Sequence, residues 1–269
     1  MVFTLLVLIV AFGCDKKMEA RNMEIDTADI RDEEIAALVN KRILFGHASV
    51  GNNIIEGIRD IIAADNRFEK INIQKLESNH QISAPGFYHF GVRKNGFPKK
   101  KCDNFKQMLI ENSLGQKVDI AFFKFCYVDI EKDLNIQEIF NYYVDTVESI
   151  KRKFPNIRMM HVTTPYYSHK RGLKGFIKRL IKPDLHNVKR NEFNSKLIEK
   201  YNQSDPIFDL ATVESTYPDG SRSSFKYKGK TYHSLANEYT YDGGHLNKTG
   251  RYLAAKNLLK SLAEIALSQ

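Results

Sequence analysis

The chain has 269 residues, of which 42% are hydrophobic and 27% charged, which excludes a disordered protein and allows one domain with a substantial core. The formal net charge of +9 favours anionic surroundings, such as a lipid surface or an acidic polymer. Because the sequence contains no zinc-finger spacing, RNP motif or basic heptad region, we predict that nucleic acid is not a partner.

The N-terminus is typical of an exported protein. Residues 2–13 are almost wholly apolar, and Cys14 follows directly. A run this short suits a signal peptide better than a membrane span. Ala11-Phe12-Gly13-Cys14 resembles a bacterial lipobox, in which the cysteine is lipidated, although Phe12 is bulky and no basic residue precedes the run.

We therefore expect residues 1–13 to be a lipoprotein signal peptide, Cys14 to be the lipidated residue, and residues 14–27 to be a polar tether. The protein would then be exported and held on a membrane of the bacterial cell envelope through its lipid anchor. The alternative is an uncleaved anchor or a buried first strand.

From residue 28 to residue 269, helical and strand patterns alternate. Strands are predicted from Arg42 to the small residues near Gly46, and over residues 71–76, 118–126, 157–164 and 207–210. Helices are predicted over residues 32–40, after Asn53, and over 103–112, 136–154, 187–201 and 252–267. A long loop covers residues 77–101, and a hairpin covers 225–232. This alternation predicts one α/β domain, a three-layer α/β/α sandwich with a five-stranded parallel sheet.

Ser49 is the first candidate for catalysis. It stands in the turn between the first strand and the first long helix. Open α/β sheets bind ligands at the carboxyl ends of their strands, and a helix N-terminus offers free N–H groups to an oxyanion. Ser49 is therefore a candidate nucleophile, while the alternative is a serine that only caps the helix.

A second candidate stretch, Tyr241-Asp242-Gly243-Gly244-His245, precedes the last predicted helix. The spacing of three residues lets the Asp242 carboxylate reach the His245 imidazole and fix its tautomer. The other ring nitrogen is then left to accept a proton from a nucleophile. The alternative is a glycine-rich loop in which the aspartate makes only a local turn bond.

Taken together, a serine after the first strand and Asp-x-x-His before the final helix resemble the SGNH/GDSL hydrolase family, from about Arg42 to the C-terminus. The resemblance implies that Ser49 is the nucleophile, His245 the general base and Asp242 its orienting partner. It also implies a flavodoxin-like strand order of 2-1-3-4-5. The nucleophile block departs from Gly-Asp-Ser, since Gly46-His47-Ala48-Ser49 stands here.

The resemblance also implies donors for an oxyanion. The family's glycine lies in the loop after strand two, which makes Gly91 the candidate and Gly86 the second choice. The family's Gly-x-Asn-Asp block corresponds to the stretch that begins at Cys126, which lacks the asparagine. Asn52 and Asn53 are candidate replacements, and His47 either contacts substrate or is a hydrogen-bonded structural residue.

Three further expectations concern cysteines, metals and basic segments. Cys102 and Cys126 both lie near the predicted active edge, so a disulfide between them is one possibility. No cluster has convincing metal-ligand spacing, so we predict no metal and no cofactor. Basic residues over 93–101 and 169–190 could hold an acidic glycan or anionic lipid, or could be a solvated surface.

The function implied by the resemblance is a serine esterase that hydrolyses an acyl ester through an acyl-enzyme, with an O-acetyl group on a carbohydrate as the plausible substrate. Two alternatives stay open from the sequence. One is an O-acyltransferase that acts on a glycan of the cell envelope. The other is a catalytically inert, glycan-binding lipoprotein that keeps the fold.

Overall fold

The computed structural model describes residues 25–76, 81–92, 94–169 and 184–268, and these form the predicted three-layer α/β/α sandwich. The strands are β1 to β9: Arg42–His47, Ile73–Lys75, Gly86–Gly91, Ile120–Phe123, Arg158–Met159, His161–Val162, Ile207–Phe208, Ser224–Tyr227 and Lys230–His233. The α-helices are α1 to α7: Asp32–Leu38, Val50–Ala64, Pro98–Ile110, Ile136–Lys153, Leu185–Tyr201, Leu210–Ser215 and Lys248–Leu267.

The central sheet is parallel and five-stranded, in the order β2-β3-β1-β4-β5. The strands predicted from the sequence keep the order 2-1-3-4-5, but β3 stands between the first two of them. This strand lies inside the stretch that we predicted as a long loop, so that prediction was wrong there. The loop is also shorter at its other end, because α3 begins at Pro98.

The fourth predicted strand, 157–164, is divided at Met160. Its first part, β5, pairs with β4, and its second part, β6, pairs with β7. β6 and β7 therefore form a second, two-stranded parallel sheet that begins directly after β5 along the chain. The predicted hairpin is present as β8 and β9, and its turn places Lys228 and Gly229 at positive φ, as a two-residue hairpin requires.

Helices cover both faces of the sheet because its strands carry apolar side chains on both sides. One core contains Phe45 and Phe87 of the sheet and the apolar faces of α1, α2 and α7. The other contains Leu44 and Phe123 and the apolar faces of α3, α4 and α5. The carboxyl ends of β1 and β3 meet at one edge, which is where the candidate residues lie.

The N-terminal predictions fall mostly outside the described residues. The signal peptide, Cys14 and the tether up to residue 24 belong to this part, as do residues 170–183 of the second basic segment. The end of the predicted tether is attached to the domain, since the Tyr252 hydroxyl hydrogen-bonds the Asp26 backbone and Thr27 donates to Asp65 at 2.5 Å. Within the described residues, no helix is both long and apolar enough to cross a bilayer.

A buried ion pair joins α3 to the loop after β4. Lys101 Nζ lies 2.5 Å from Asp129 Oδ2, and both side chains are fully buried. The same carboxylate accepts hydrogen bonds from the backbone N–H groups of Gly96 and Cys126, at 2.7 and 2.6 Å. Lys101 is therefore not part of a solvated basic surface, because its charge is needed inside the fold.

We expect Lys101→Met to reduce the free energy of unfolding by about 3–5 kcal/mol, because it leaves the Asp129 carboxylate buried without its cation. Lys99→Met is the matched control on the same helix. Lys99 pairs with Glu138 at 2.5 Å, but both side chains are about half exposed, so the loss should stay below about 1 kcal/mol. Urea unfolding at pH 7 measures both, and equal losses would contradict the structural role of Lys101.

Candidate active site

Ser49 lies between the end of β1 and the start of α2 in a backbone conformation that is rare for a residue with a side chain. Its φ is 52° and its ψ is −110°. Although it occupies the N-cap position of α2, its side chain makes no capping hydrogen bond. The alternative that Ser49 serves only as a helix cap is therefore not what the structure shows.

The Ser49 hydroxyl is hydrogen-bonded to His245 instead. Ser49 Oγ lies 2.7 Å from His245 Nε2, although the two residues are 196 positions apart. On the other side of the ring, His245 Nδ1 lies 2.6 Å from Asp242 Oδ2. Because a carboxylate accepts the Nδ1 proton, Nε2 of the neutral ring is left as the acceptor that faces the hydroxyl.

Asp242 is held by its own loop. Its Oδ1 accepts the backbone N–H groups of Gly244 and His245 at 2.9 and 2.8 Å. Partial burial acts to raise the pKa of Asp242, but these amides and the His245 ring outweigh it and lower the pKa to about 2. The carboxylate is therefore ionised at neutral pH and stabilises a positive charge on the imidazole.

The two glycines between Asp242 and His245 are required by the neighbouring tyrosines. Gly243 has a φ of +99°, and a Cβ on it would lie 2.8 Å from the Tyr167 ring. A Cβ on Gly244 would lie 2.5 Å from Tyr127. The local turn bonds proposed as the alternative for this motif do exist, but they coexist with the contact to His245.

Asn53 links this loop to α2, and sequence reasoning did not assign it this position. Asn53 Oδ1 accepts the backbone N–H of Leu246 at 3.1 Å, so the residue after His245 is attached to the helix that begins after Ser49. Asn247 then caps α7 by accepting the N–H of Gly250 at 3.0 Å. Ser49 and His245 are thus held by two directly connected helix N-termini.

Aromatic side chains pack around the His245 ring. The Tyr241 ring is stacked at 6.0 Å from the imidazole and is 69% exposed, while Tyr127 meets it edge-on at 6.0 Å. Tyr167 packs on Tyr127 and donates to the Asp242 carbonyl at 3.0 Å. Tyr241 heads the stretch that the sequence analysis singled out, whereas sequence reasoning assigned no role beside His245 to Tyr127 or Tyr167.

The candidate oxyanion residues lie in a cleft beside Ser49. Gly91 ends β3 directly beside His47 of β1, and both line one cleft with Ser49 and Asn52. No atom lies within 4 Å of where a Gly91 Cβ would stand, so the backbone here is open to the cleft. Gly86, the second choice, lies at the opposite end of β3, beside Arg42 rather than Ser49.

His47 pairs with His89, a residue of the unpredicted strand β3. His47 Nε2 lies 3.0 Å from His89 Nδ1, and the two side chains are only 3% and 6% exposed. Burial lowers the pKa of His47 to about 3, with a smaller effect from the charges of His89 and Lys124. Burial, together with Arg59 and Lys75, lowers the pKa of His89 to about 4. Both rings are therefore neutral at pH 7, which agrees with the structural interpretation of His47.

The disulfide that was one possibility for Cys102 and Cys126 is not formed, because both cysteines are free and buried. The Cys126 thiol donates to the Ala48 carbonyl at 3.2 Å, next to Ser49, whereas Cys102 belongs to α3 and to the core between α3 and α4. Both cysteines were expected near the same edge of the sheet, but this did not bring their sulfur atoms together. Asp129, which lies in the stretch that corresponds to the family's Gly-x-Asn-Asp block, forms an ion pair with Lys101 and is not directed at Ser49.

A metal site needs several side chains that could bind the ion together. Among the described residues, no group of three or more histidine, cysteine, aspartate or glutamate side chains is arranged to hold a metal ion. His161 illustrates why, since its ring stacks on Tyr201 at 3.6 Å and its Nδ1 bonds the Tyr143 hydroxyl at 2.7 Å. It is a structural residue on β6.

Neither a protein-family model nor a curated protein matches the sequence. Solved structures that resemble the chain include a carbohydrate esterase family 3 protein from Talaromyces cellulolyticus (13% identity, 84% of this chain, 97% of that one, TM-score 0.49). A lipase/acylhydrolase from Enterococcus faecalis has 14% identity over 83% of this chain and 95% of that one, with a TM-score of 0.47. A carbohydrate acetylesterase family member from Sinorhizobium meliloti has 9% identity over 85% and 100%, with a TM-score of 0.45. At such values the chemistry has to be inferred from the side chains of this chain.

Because Ser49 has a positive φ, we expect Ser49→Gly to be more stable than Ser49→Ala by about 1 kcal/mol. Both variants lose the hydroxyl, but only glycine adopts this backbone without strain. The matched control is Ser149, inside the regular helix α4, where glycine should be about 1 kcal/mol less stable than alanine. Thermal and urea unfolding of the four variants measure this, and the same sign at both positions would contradict strain at Ser49.

Proposed function

We propose that this protein is a serine esterase with Ser49 as the nucleophile, His245 as the general base and Asp242 as its orienting partner. The single observation that carries the proposal is the 2.7 Å contact between Ser49 Oγ and His245 Nε2. A serine that is released from helix capping, held at positive φ and bonded to a carboxylate-supported imidazole has the arrangement of an activated nucleophile.

In the first half of the reaction, Ser49 Oγ attacks the ester carbonyl while His245 Nε2 takes the hydroxyl proton. The imidazolium then gives this proton to the departing alkoxide, and the acyl group stays on Ser49. In the second half, water attacks the acyl-enzyme with His245 again as base, and the acid is released. Asp242 stays ionised throughout and stabilises the imidazolium.

The oxyanion would form above the N-terminus of α2. There the positive end of the helix dipole favours a negative charge. Gly91 and Asn52 line the cleft beside Ser49 and would supply donors. Cys126 begins the stretch that corresponds to the family's Gly-x-Asn-Asp block. Its thiol donates a hydrogen bond to the Ala48 carbonyl and so supports the turn that contains Ser49.

For the substrate we propose an acyl ester on a carbohydrate. The observation in favour is the Tyr241 ring, which is largely exposed and stacked beside His245, where the departing alcohol must receive its proton. An exposed aromatic face of this kind is suited to pack against the apolar face of a sugar ring.

We also propose that the protein is exported and anchored through a lipid on Cys14, because of the apolar run and the lipobox-like sequence before it. Wild type should then partition with membranes and lack residues 1–13, while Cys14→Ser should be released or remain unprocessed. Intact-mass analysis of the mature protein measures this. A mature wild-type protein that still begins at Met1 would rule the anchor out.

Ser49→Ala and His245→Ala should each reduce kcat on 4-nitrophenyl acetate by about 10³-fold or more, and the double variant should lose little beyond either single variant. The two residues act as one unit, so their effects do not add. Ser204→Ala is the control, since this exposed serine lies in the loop before β7, at the other end of the sheet.

A fluorophosphonate probe should label wild type on Ser49, and digestion with mass spectrometry locates the label. If folded Ser49→Ala retains normal hydrolysis, the esterase proposal is wrong. If wild type neither hydrolyses acyl esters nor reacts with the probe, an inert binding protein becomes the better interpretation. If added sugar is acetylated in preference to water, the enzyme is an acyltransferase that uses the same three residues.

A further inference from the structure

Two asparagines of α5 hold the extended backbone that follows β6. Asn187 accepts the backbone N–H of Tyr167 at 3.0 Å and donates to the carbonyl of the same residue at 2.6 Å. Asn194, two helical turns further on, makes the same pair of hydrogen bonds to Thr164, at 2.7 and 2.9 Å. Seven residues of helix and three residues of extended chain both span roughly 10 Å, so the spacing of the two side chains matches that of the backbone groups they bind.

The end of this backbone that Asn187 holds is the end that contacts the active-site turn. The Tyr167 hydroxyl donates to the Asp242 carbonyl at 3.0 Å, and the backbone N–H of Ser168 donates to the Gly243 carbonyl at 2.7 Å. Both carbonyls belong to the four-residue turn that carries the Asp242 carboxylate and the His245 imidazole. The positions of Tyr167 and Ser168 therefore influence where this turn lies.

Arg190, one helical turn after Asn187, fixes the orientation of the Asn187 amide. Arg190 Nη1 donates to Asn187 Oδ1 at 2.7 Å, and Arg190 Nε donates to the Tyr127 carbonyl at 2.7 Å. Because a guanidinium and a backbone N–H are both donors, the amide oxygen faces them, which leaves Nδ2 to face the Tyr167 carbonyl. Arg190 also connects this amide to Tyr127, whose ring meets His245 edge-on.

Asn187 is fully buried, with no exposed surface, so it does not touch a substrate. An effect of Asn187 on the reaction must pass through the residues that it holds. A displacement of a reacting group by about 1 Å can reduce a rate about 10²-fold, so a small change in the backbone of Tyr167 and Ser168 is sufficient.

We propose that Asn187 is a positioning residue for the reaction: it fixes Tyr167 and Ser168, and their hydrogen bonds keep His245 within reach of Ser49. This rests on the proposed esterase function. Asn187 itself takes no part in bond formation or proton transfer, which stay with Ser49 and His245.

The test compares Asn187→Ala with Asn194→Ala, because each variant removes an asparagine that holds both polar groups of one backbone residue. Both variants should lower the midpoint of urea unfolding by similar amounts. On 4-nitrophenyl acetate, Asn187→Ala should reduce kcat about 10- to 100-fold and leave KM within about twofold of wild type. Asn194→Ala should reduce kcat less than about threefold, because its hydrogen bonds go to Thr164 and not to the residue that contacts the turn.

Combination with Tyr167→Phe shows whether the effect passes through Tyr167. In wild type and in Asn194→Ala, loss of the Tyr167 hydroxyl should reduce kcat by the same factor. In Asn187→Ala it should reduce kcat by a smaller factor, because the hydroxyl is already displaced from the Asp242 carbonyl. Such coupling is expected only for residues that act through a shared contact.

The ¹⁵N resonance of His245 Nε2 gives a readout that needs no hydrolysis. Ser49→Ala supplies the value for a ring without the serine contact. Asn187→Ala should move the resonance towards this value, whereas Asn194→Ala should leave it near that of wild type. If this pattern is seen but no ester is hydrolysed, the esterase proposal fails and the positioning of His245 by Asn187 stands.

Two results would overturn the inference while leaving the esterase intact. One is an equal reduction of kcat in Asn187→Ala and Asn194→Ala. The other is an effect of Tyr167→Phe that is the same with and without Asn187. If Asn187→Ala does not fold, Asn187→Asp replaces it, since this side chain still accepts from Arg190 but places a carboxylate oxygen against the Tyr167 carbonyl. The same reduction of kcat with little change in KM is expected, and unchanged kcat would contradict the proposal.

Discussion

The site depends on the packing of α2 against α7, because this contact brings Ser49 to His245. The two helices approach closely at Gly57, where a Cβ would collide with the backbone carbonyl of Arg251. Arg251 then forms ion pairs with Glu56 and Asp60 of α2, at 3.0 and 2.8 Å. Since Ser49 precedes α2 and His245 precedes α7, the alignment of the two helix N-termini fixes the distance between these two side chains. Asn53 adds a direct bond at that end.

Ionisable side chains near the carboxyl ends of the strands keep or lose their charge according to how deeply they are buried. Asp242 keeps its charge, because backbone N–H groups and the imidazole stabilise it. Deeper in the fold, burial raises the pKa of Glu214 to about 8 and lowers that of Lys124, which favours the neutral form of each. Lys101 and Asp129 differ from both cases, because their opposite charges are buried together as an ion pair. Of these groups, Asp242 is the one that is both ionised and close to the protein surface.

Much of this arrangement could be predicted from the sequence because it is local or follows from chain topology. The alternation of strands and helices predicts the layers, and the positions of Ser49 and Asp242-x-x-His245 predict that they share an edge. Strand β3 was missed because Pro85, Gly86 and Gly91 bound only four residues, which resembles a loop. The same omission hid the contact between His89 and His47, and with it the cleft. The pairing of Lys101 with Asp129, and the separation of Cys102 from Cys126, depend on which layer each side chain enters, and one-dimensional spacing carries no such information.

The Asp242 carboxylate and the His245 imidazole belong to one turn of four residues. The hydrogen bonds of Asp242 to the amides of Gly244 and His245, and to the imidazole, all form within that segment. Contacts with Tyr127, Tyr167 and Asn53 hold the segment in the fold and set its position relative to Ser49. A local opening of the segment ahead of α7 would move Asp242 and His245 away from Ser49 in a single step, while the core of the sandwich stayed intact. The stability of this short segment therefore decides how often the three side chains lie together, separately from the free energy of unfolding of the whole domain.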